Sequence, residues 1–470
     1  MLVEPRGGGL RQRESDTRPY AERTLPVTTK LKRFTLKARE EPRTRFTALM
    51  GLLWDPDGLR ESFRRQDGRK APGVDGVRKE DYAKGVEARL GDLSARIRRL
   101  GYVPQPARRT YIPKGDGRLR PLGVPAFEDR LVQDRLSLIL QAIWEPEFRN
   151  CSYGFRPGRS AHDALRRVAE VITNERTQWV VEADIKGFYD HVSHAHMLRF
   201  LEHRIGDPNL LRIIQRFLKA GIMEDGVFTA SGEGTPQGGL VSPVLSNIYL
   251  HYVLDLWFEK RFAQGCAGKA FLIRYADDYV ACFEYETDAR AFLKAMVERL
   301  ADFDLETEPS KTALLAFGST RLGRDRTPGA GPRTFSFLGF THYVGRSRRG
   351  HFVVGRKSDG KRRAKKLKAL NAHLRALRTQ GGNVMVAFLV RHLRGHIQYY
   401  GVSGNSRWVS SYVYFAQRML FKWLNRRSQK RSMNWKTFAA YISPWLPKAR
   451  VVHQLYPIPR WKTQTGSRMV

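Results

Sequence analysis

Phe271-Leu272-Ile273-Arg274-Tyr275-Ala276-Asp277-Asp278-Tyr279-Val280-Ala281-Cys282 is the stretch that decides the fold of this chain. Two apolar runs flank an Asp-Asp pair, and the pattern reads as strand, tight turn and strand, a hairpin with both acids at its tip. Alone, such a pair is more often an ordinary acidic turn. A second segment changes that reading: Val180-Val181-Glu182-Ala183-Asp184-Ile185 is another apolar-rich strand interrupted by acids. Carboxylates gathered on neighbouring strands repel one another unless cations sit between them. Mg²⁺ fits, because it takes oxygen ligands from one or two carboxylates together with substrate phosphates. Two such ions about 3.5–4 Å apart can activate a 3′-oxygen and stabilise departing pyrophosphate. The expectation is nucleotidyl transfer by Asp184, Asp277 and Asp278, with Asp184, Ile185, Asp277 and Asp278 around two Mg²⁺ ions and Mn²⁺ as the alternative metal.

Composition points the same way. The 470 residues suffice for two or three domains, and 41% hydrophobic with 11% aromatic content can build a substantial core. Lys plus Arg number 83 against 46 acids, a formal charge of +37. A folded chain that basic attracts polyanions, so long contact with nucleic-acid phosphates is expected. The 3 cysteines are too few and too scattered for a disulfide framework or a cysteine-based zinc site, which favours a reducing compartment. The longest apolar runs are interrupted by polar residues and prolines, and the basic N-terminus lacks an apolar signal core. A cytoplasmic, bacterial-type protein without a membrane partner is expected, with an organellar destination left open.

Residues 1–45 are rich in Gly, Arg and Pro and read as a flexible basic extension. Apolar residues recur at helical spacing from Phe46 to Phe63, and the run Ala71-Pro72-Gly73-Val74-Asp75-Gly76 is turn chemistry. Helices are expected over 79–99, 127–147, 160–173, 193–204, 208–221, 243–262 and 287–302, with strands at 110–112, 179–185, 271–275, 279–283 and 334–343. Strands interleaved with helices, but without a strict alternation, indicate an α+β domain over 46–345. A basic helical region, opened by Lys361-Arg362-Arg363-Ala364-Lys365-Lys366, is expected over 346–440, and a short basic segment over 441–470.

At Tyr275-Ala276-Asp277-Asp278 the sequence resembles the catalytic motif of reverse transcriptases, and an ordered motif series extends the resemblance over about residues 46–440. It implies a right-hand polymerase with fingers and palm, followed by an α-helical thumb. The fingers part holds Tyr111-Ile112-Pro113-Lys114-Gly115-Asp116-Gly117-Arg118-Leu119-Arg120, a glycine-bearing turn between cationic side chains suited to a triphosphate. By resemblance Lys114 and Arg120 contact the incoming nucleotide, and Tyr189 lies under its sugar to disfavour a 2′-hydroxyl, with Phe188 as the competing ring. Gly234-Thr235-Pro236-Gln237-Gly238-Gly239 is similar to the loop supporting the templating pair, with Gln237 as its polar contact. Lys311 matches a lysine that assists pyrophosphate departure, and Leu338, Gly339 and Phe340 match the primer-grip hairpin. His191, His194 and His196 lack a convincing third ligand for zinc and read as a helix start.

The segment at 71–76 resembles group II intron proteins, as do Arg394-Gly395-His396-Ile397-Gln398-Tyr399-Tyr400-Gly401 and Trp423-Leu424-Asn425-Arg426-Arg427-Ser428-Gln429-Lys430-Arg431. The latter two look like the thumb, or maturase region, where basic residues alternate with aromatics suited to phosphates and unpaired bases. Lys361, Arg362, Arg363, Lys365, Lys366, Arg426, Arg427, Lys430 and Arg431 are the expected RNA contacts. The resemblance implies a protein that binds its group II intron RNA, assists splicing, and copies that RNA into DNA from dNTPs at a DNA target that supplies the primer. Nothing after about 443 looks like an endonuclease. Three other readings stay open: a related reverse transcriptase serving defence, CRISPR adaptation or repair, a non-catalytic splicing factor, and an RNA-dependent RNA polymerase.

Overall fold

The computed structural model describes residues 29–113, 119–235, 238–319, 334–347, 350–427 and 433–457. Its N-terminal part is helical: α1 (Thr29–Glu40), α2 (Met50–Leu53), α3 (Pro56–Arg65), α4 (Lys79–Ala83) and α5 (Val86–Arg98). Within the stretch expected to be a flexible extension, residues 29–40 instead form α1. Leu31 and Ala38 are buried in the main core, seven residues apart on one helix face. The helical spacing before residue 65 is split at Pro56, which can start a helix but not continue one. The helix expected over 79–99 is likewise split, because Gly85 holds φ +76°.

Strands β1 (Ala107–Pro113) and β2 (Leu119–Val124) form an antiparallel hairpin that leads into α6 (Phe127–Trp144), which is buried along almost its whole length. The loop at 71–76 docks at the start of that helix. The Asp75 carboxylate accepts from the Phe127 N–H at 3.0 Å, an acid where a helix leaves its N–H groups unpaired. Gly73 is required there, since a Cβ would sit 2.5 Å from Ala126 Cα. Helix α7 (Ala161–Asn174) starts at a Ser160–Asp163 capping box, and β3 (Trp179–Asp184) follows it. After α8 (His194–Glu202) and α9 (Pro208–Leu218) comes an unanticipated hairpin, β4 (Ile222–Glu224) and β5 (Val227–Thr229). It joins the first hairpin through a parallel β1–β4 pairing, in the order β2–β1–β4–β5.

Helix α10 (Ser242–Leu250) continues through π-helical turns at His251–Asp255 and Phe258–Phe262. Next are β6 (Ala270–Tyr275), β7 (Asp278–Phe283), α11 (Glu286–Ala301) and β8 (Ala313–Ala316), which complete an antiparallel sheet ordered β6–β7–β3–β8. Its middle strands explain their continuous apolar runs. Successive residues point to opposite faces, and both faces are covered: Tyr279, Ala281 and Phe283 enter one core, Val280 and Cys282 another.

A third sheet, β9 (Thr334–Phe337), β10 (Phe340–Arg346) and β11 (Phe352–Ser358), packs beside it. The expected strand over 334–343 is thus a hairpin, bent where Leu338 and Gly339 hold φ +50° and +79°. Because β11 pairs with β10, the helical part begins at Gly360 rather than at 346. It consists of α12 (Gly360–Leu377), α13 (Gly382–Tyr400), α14 (Ser406–Leu424) and α15 (Trp435–Tyr441) around their own core of Leu374, Leu389, Leu393, Tyr412 and Leu420. The chain then returns to the second core. The Val452 and His453 N–H groups both donate to the Gly401 carbonyl, and Leu455 is fully buried. Among the described residues no helix is long and apolar enough to cross a membrane.

Candidate active site

Register brings the acids together. In the β3–β7 ladder Asp184 lies directly opposite Asp278, and Tyr275 opposite Asp278 closes the β6–β7 hairpin over the two-residue turn Ala276-Asp277. Like charges directly opposite on one sheet face are unfavourable, and a cation nearby relieves the repulsion. Burial, and then the nearby Asp184 charge, hold the Asp277 carboxyl above the usual range. Burial pushes Asp278 up to about 7, aided by Asp277 and Asp184 and opposed by the Leu338 N–H, which donates to it at 3.4 Å. The Lys311 ammonium rests on the Asp184 carboxylate.

The surrounding parts converge on this point. The Arg120 guanidinium of β2 is close enough to Asp277 to draw its carboxyl downward. Phe188 is buried and packs edge-on against Tyr249, whereas Tyr189 is only partly buried. Burial pushes the Tyr189 phenol up to about 12, with the Asp277 charge as the next cause, so Tyr189 is the ring beside the acids. The loop at 234–239 hangs on the same turn: the Thr235 N–H donates to the Tyr189 carbonyl at 2.7 Å. Gly238 has φ +113°, and a Cβ there would lie 2.5 Å from the Gly123 carbonyl oxygen of β2. Lys114 and Gln237 fall outside the described residues.

The family model described as reverse transcriptase (RNA-dependent DNA polymerase) matches residues 112–342. Protein YkfC of Escherichia coli (strain K12) is 39% identical over 238 residues, 49% of this chain and 62% of that protein. The group II intron-encoded protein LtrA of Lactococcus lactis subsp. cremoris is 36% identical over 237 residues, 49% of this chain and 39% of that protein. Nuclear intron maturase 1, mitochondrial, of Arabidopsis thaliana is 32% identical over 95 residues, 20% of this chain and 13% of that protein. Over this region the chain is similar to reverse transcriptases, and among them to group II intron-encoded proteins and intron maturases. The chain covers less than two thirds of each of these relatives.

The hairpin turn at Leu338 and Gly339 ties the acids to the helical part. Leu338 donates to Asp278 through its N–H and accepts from the Tyr399 hydroxyl at 2.8 Å through its carbonyl. Phe340 packs against the rings of Tyr399 and Tyr400. No role for Tyr399 is expected from the sequence, although the tyrosine pair closing the 394–401 segment was its available signal. The three histidines go to separate partners: His191 to Glu233, His194 to the Gly234 carbonyl and His196 towards Asp304.

The expected RNA contacts divide. Lys361, Arg362, Arg426 and Arg427 are exposed, and Arg362 also lies beside the Gly339 turn. Arg363 stacks over Trp408. Lys366 turns inward instead, its ammonium 3.3 Å from His396 Nδ1 and near the Tyr400 and Tyr412 rings. It shares a helix face with Leu370 and Leu374, four and eight residues on, both of which are buried. Lys430 and Arg431 lie outside the described residues. Lys368, Arg418, Lys422 and Arg426, of which only Arg426 is expected from the sequence, line an open groove between α12 and α14 with Phe415 at its edge.

Proposed function

We propose that the protein is an RNA-directed DNA polymerase that copies group II intron RNA into DNA and, by binding that RNA, assists its splicing. The observation that carries the reading is the register placing Asp184 opposite Asp278, with Asp277 on the adjoining turn.

The donor set suits hard divalent cations. Among the described residues no three acidic, histidine or cysteine side chains form a ready-made metal cluster. The Asp184 charge nonetheless reaches Asp277, and two carboxylates completed by substrate phosphates is a characteristic way of holding Mg²⁺. Asp184 and Asp277, with Ile185 and Asp278 at their flanks, would hold the ions. Bound Mg²⁺ would supply Lewis-acid activation of the primer 3′-hydroxyl and neutralise charge on the triphosphate.

The chain's own groups do the remainder. Arg120 and Lys114 orient the triphosphate, and the Tyr189 ring fills the space a 2′-hydroxyl would need. Lys311 swings from Asp184 to the departing pyrophosphate. The turn at Leu338, Gly339 and Phe340 positions the primer end, because its backbone is tied both to Asp278 and to Tyr399. The cationic groove of the helical part, with Phe415 at its rim, suits RNA phosphates and an unpaired base.

The test is primer extension on an RNA template with Mg²⁺, comparing dNTPs with rNTPs, against Asp277→Ala with Asp278→Ala. Extension with dNTPs that vanishes in the variant supports the polymerase. If both proteins are inactive yet the wild type promotes splicing of its flanking intron, the catalytic half of the reading is wrong.

A further inference from the structure

Ala276, the residue before Asp277, has φ +58°. A non-glycine residue in that region is strained, and such strain persists only where the surroundings over-determine the backbone. Beneath this turn lies a fully buried polar cluster with Arg274 at its centre. All five guanidinium N–H donors are used. Nε donates to Asp255 Oδ1 at 2.7 Å, and Nη2 to Asp255 Oδ2 at 2.6 Å and to the Ser152 hydroxyl at 2.8 Å. Nη1 donates to Asn247 Oδ1 at 3.1 Å and, at 2.9 Å, to the carbonyl of Ala276 itself.

Asn247 extends the clamp, donating from Nδ2 to the Gly154 carbonyl at 2.7 Å. Gly154 presses on the turn from the other side, where a Cβ would lie 2.5 Å from the Ala276 nitrogen. The 151–154 segment is also stitched to β6, since the Arg274 N–H donates to the Cys151 carbonyl and the Tyr153 N–H to the Arg274 carbonyl. Asp255 ends a π-helical turn, whose extra residue shifts the phase of the helix beyond it; π turns recur at functional sites. Segments far apart in sequence therefore meet on one guanidinium whose last bond goes to the strained residue.

We propose that Arg274, held by Asp255, Asn247 and Ser152, is a positioning residue that fixes the Ala276-Asp277 turn and so aims the Asp277 carboxylate. The inference rests on the polymerase reading of the site. A buried ion pair adds little net stability over apolar residues of similar volume, whereas removing one partner alone is costly. That asymmetry separates positioning from folding.

Arg274→Lys keeps the charge but supplies three donors instead of five, so it cannot make all of these bonds. Because this variant leaves buried acceptors unpaired and can simply unfold, the deciding protein is Arg274→Met combined with Asp255→Leu, which removes both charges together. Thermal melting, primer–template affinity, and kcat and KM for dNTP are compared with wild type. The expected result is a double variant that melts near wild type and binds primer–template equally well. Its KM for dNTP is nearly unchanged and its kcat is lower by about a hundredfold, the effect of an ångström-scale misplacement. A folded double variant with kcat within about twofold of wild type would overturn the proposal. So would a double variant that fails to fold, since the cluster would then be holding the protein rather than the turn. A wild type that extends no primer removes the polymerase reading, and this inference with it.

Discussion

The Lys311 ammonium and the Asp184 carboxylate form an ion pair at the end of β3, on the residue that faces Asp278 across the ladder. Lys311 stands where the proposed divalent cation would compensate the acids, so such an ion would have to displace it. Lys311→Ala is expected to lower the Mg²⁺ concentration at half-maximal rate. It should also reduce kcat by about a hundredfold, the usual scale for losing a proton donor. A Mg²⁺ titration of primer extension measures both, and an unchanged midpoint would mean that the pair does not compete with metal.

Tyr189 and Phe188 are adjacent but have opposite fates, one beside Asp277 and one in the core. Tyr189→Val should raise rNTP use relative to dNTP by about tenfold or more, equivalent to roughly 1.4 kcal/mol of discrimination. Phe188→Ala should leave that ratio alone and destabilise the fold by about 3–5 kcal/mol. Competition assays with both nucleotide types, beside denaturant melts, check the pair. The opposite pattern would exchange the two roles.

Asp129 gives a pH dependence away from Asp184, Asp277 and Asp278. It is buried, accepting from the Tyr102 hydroxyl and, at 3.0 Å, from the Gln105 N–H, and burial pushes its carboxyl up to about 7. The folded state thus holds this proton more tightly than the unfolded chain, whose carboxyl titrates near about 4. The stabilisation it contributes is complete below about pH 4 and is lost as pH rises to 7, by up to about 1.4 kcal/mol per pH unit. Asp129→Asn should therefore gain on wild type between about pH 5 and pH 7 in urea midpoints. A stability gap that stays constant across that range would show that the carboxyl ionises normally.

The groove between α12 and α14 is tested by salt. Arg418→Ala with Lys422→Ala should weaken RNA binding and flatten the plot of log affinity against log salt by roughly one to two units, as fewer counterions are released. Both side chains line the groove, and Arg418 also stacks over Trp435, so melting must be followed in parallel. A weakened affinity with an unchanged slope would place the loss in folding instead.

Much of the candidate site was legible because its signals are local. Apolar runs interrupted by acids identify strands and a turn without knowledge of anything distant, and α6, α7, α8, α9 and α11 follow from apolar spacing. Short strands were the weak point. β4, β5 and β8, of 3, 3 and 4 residues, have little pattern of their own, and β4 and β8 exist because β1 and β3 offer them a ladder edge. Charge was similarly ambiguous: Lys366 looked like its basic neighbours, yet its helix phase sends it inward.

The sequence by itself determined that strands bearing Asp184 and the Asp277-Asp278 pair exist, that the chain is strongly cationic, and that a basic helical region follows. Those properties depend on residue type and short spacing. Only the tertiary structure decided that Asp184 faces Asp278, that Tyr189 rather than Phe188 borders the acids, and that Lys311, Leu338 and Tyr399 reach them. It alone showed Asp255, Asn247 and Ser152 meeting on Arg274. The reason is that a buried polar group must find its hydrogen-bond partner in space, and no spacing along the chain records which distant segment supplies it.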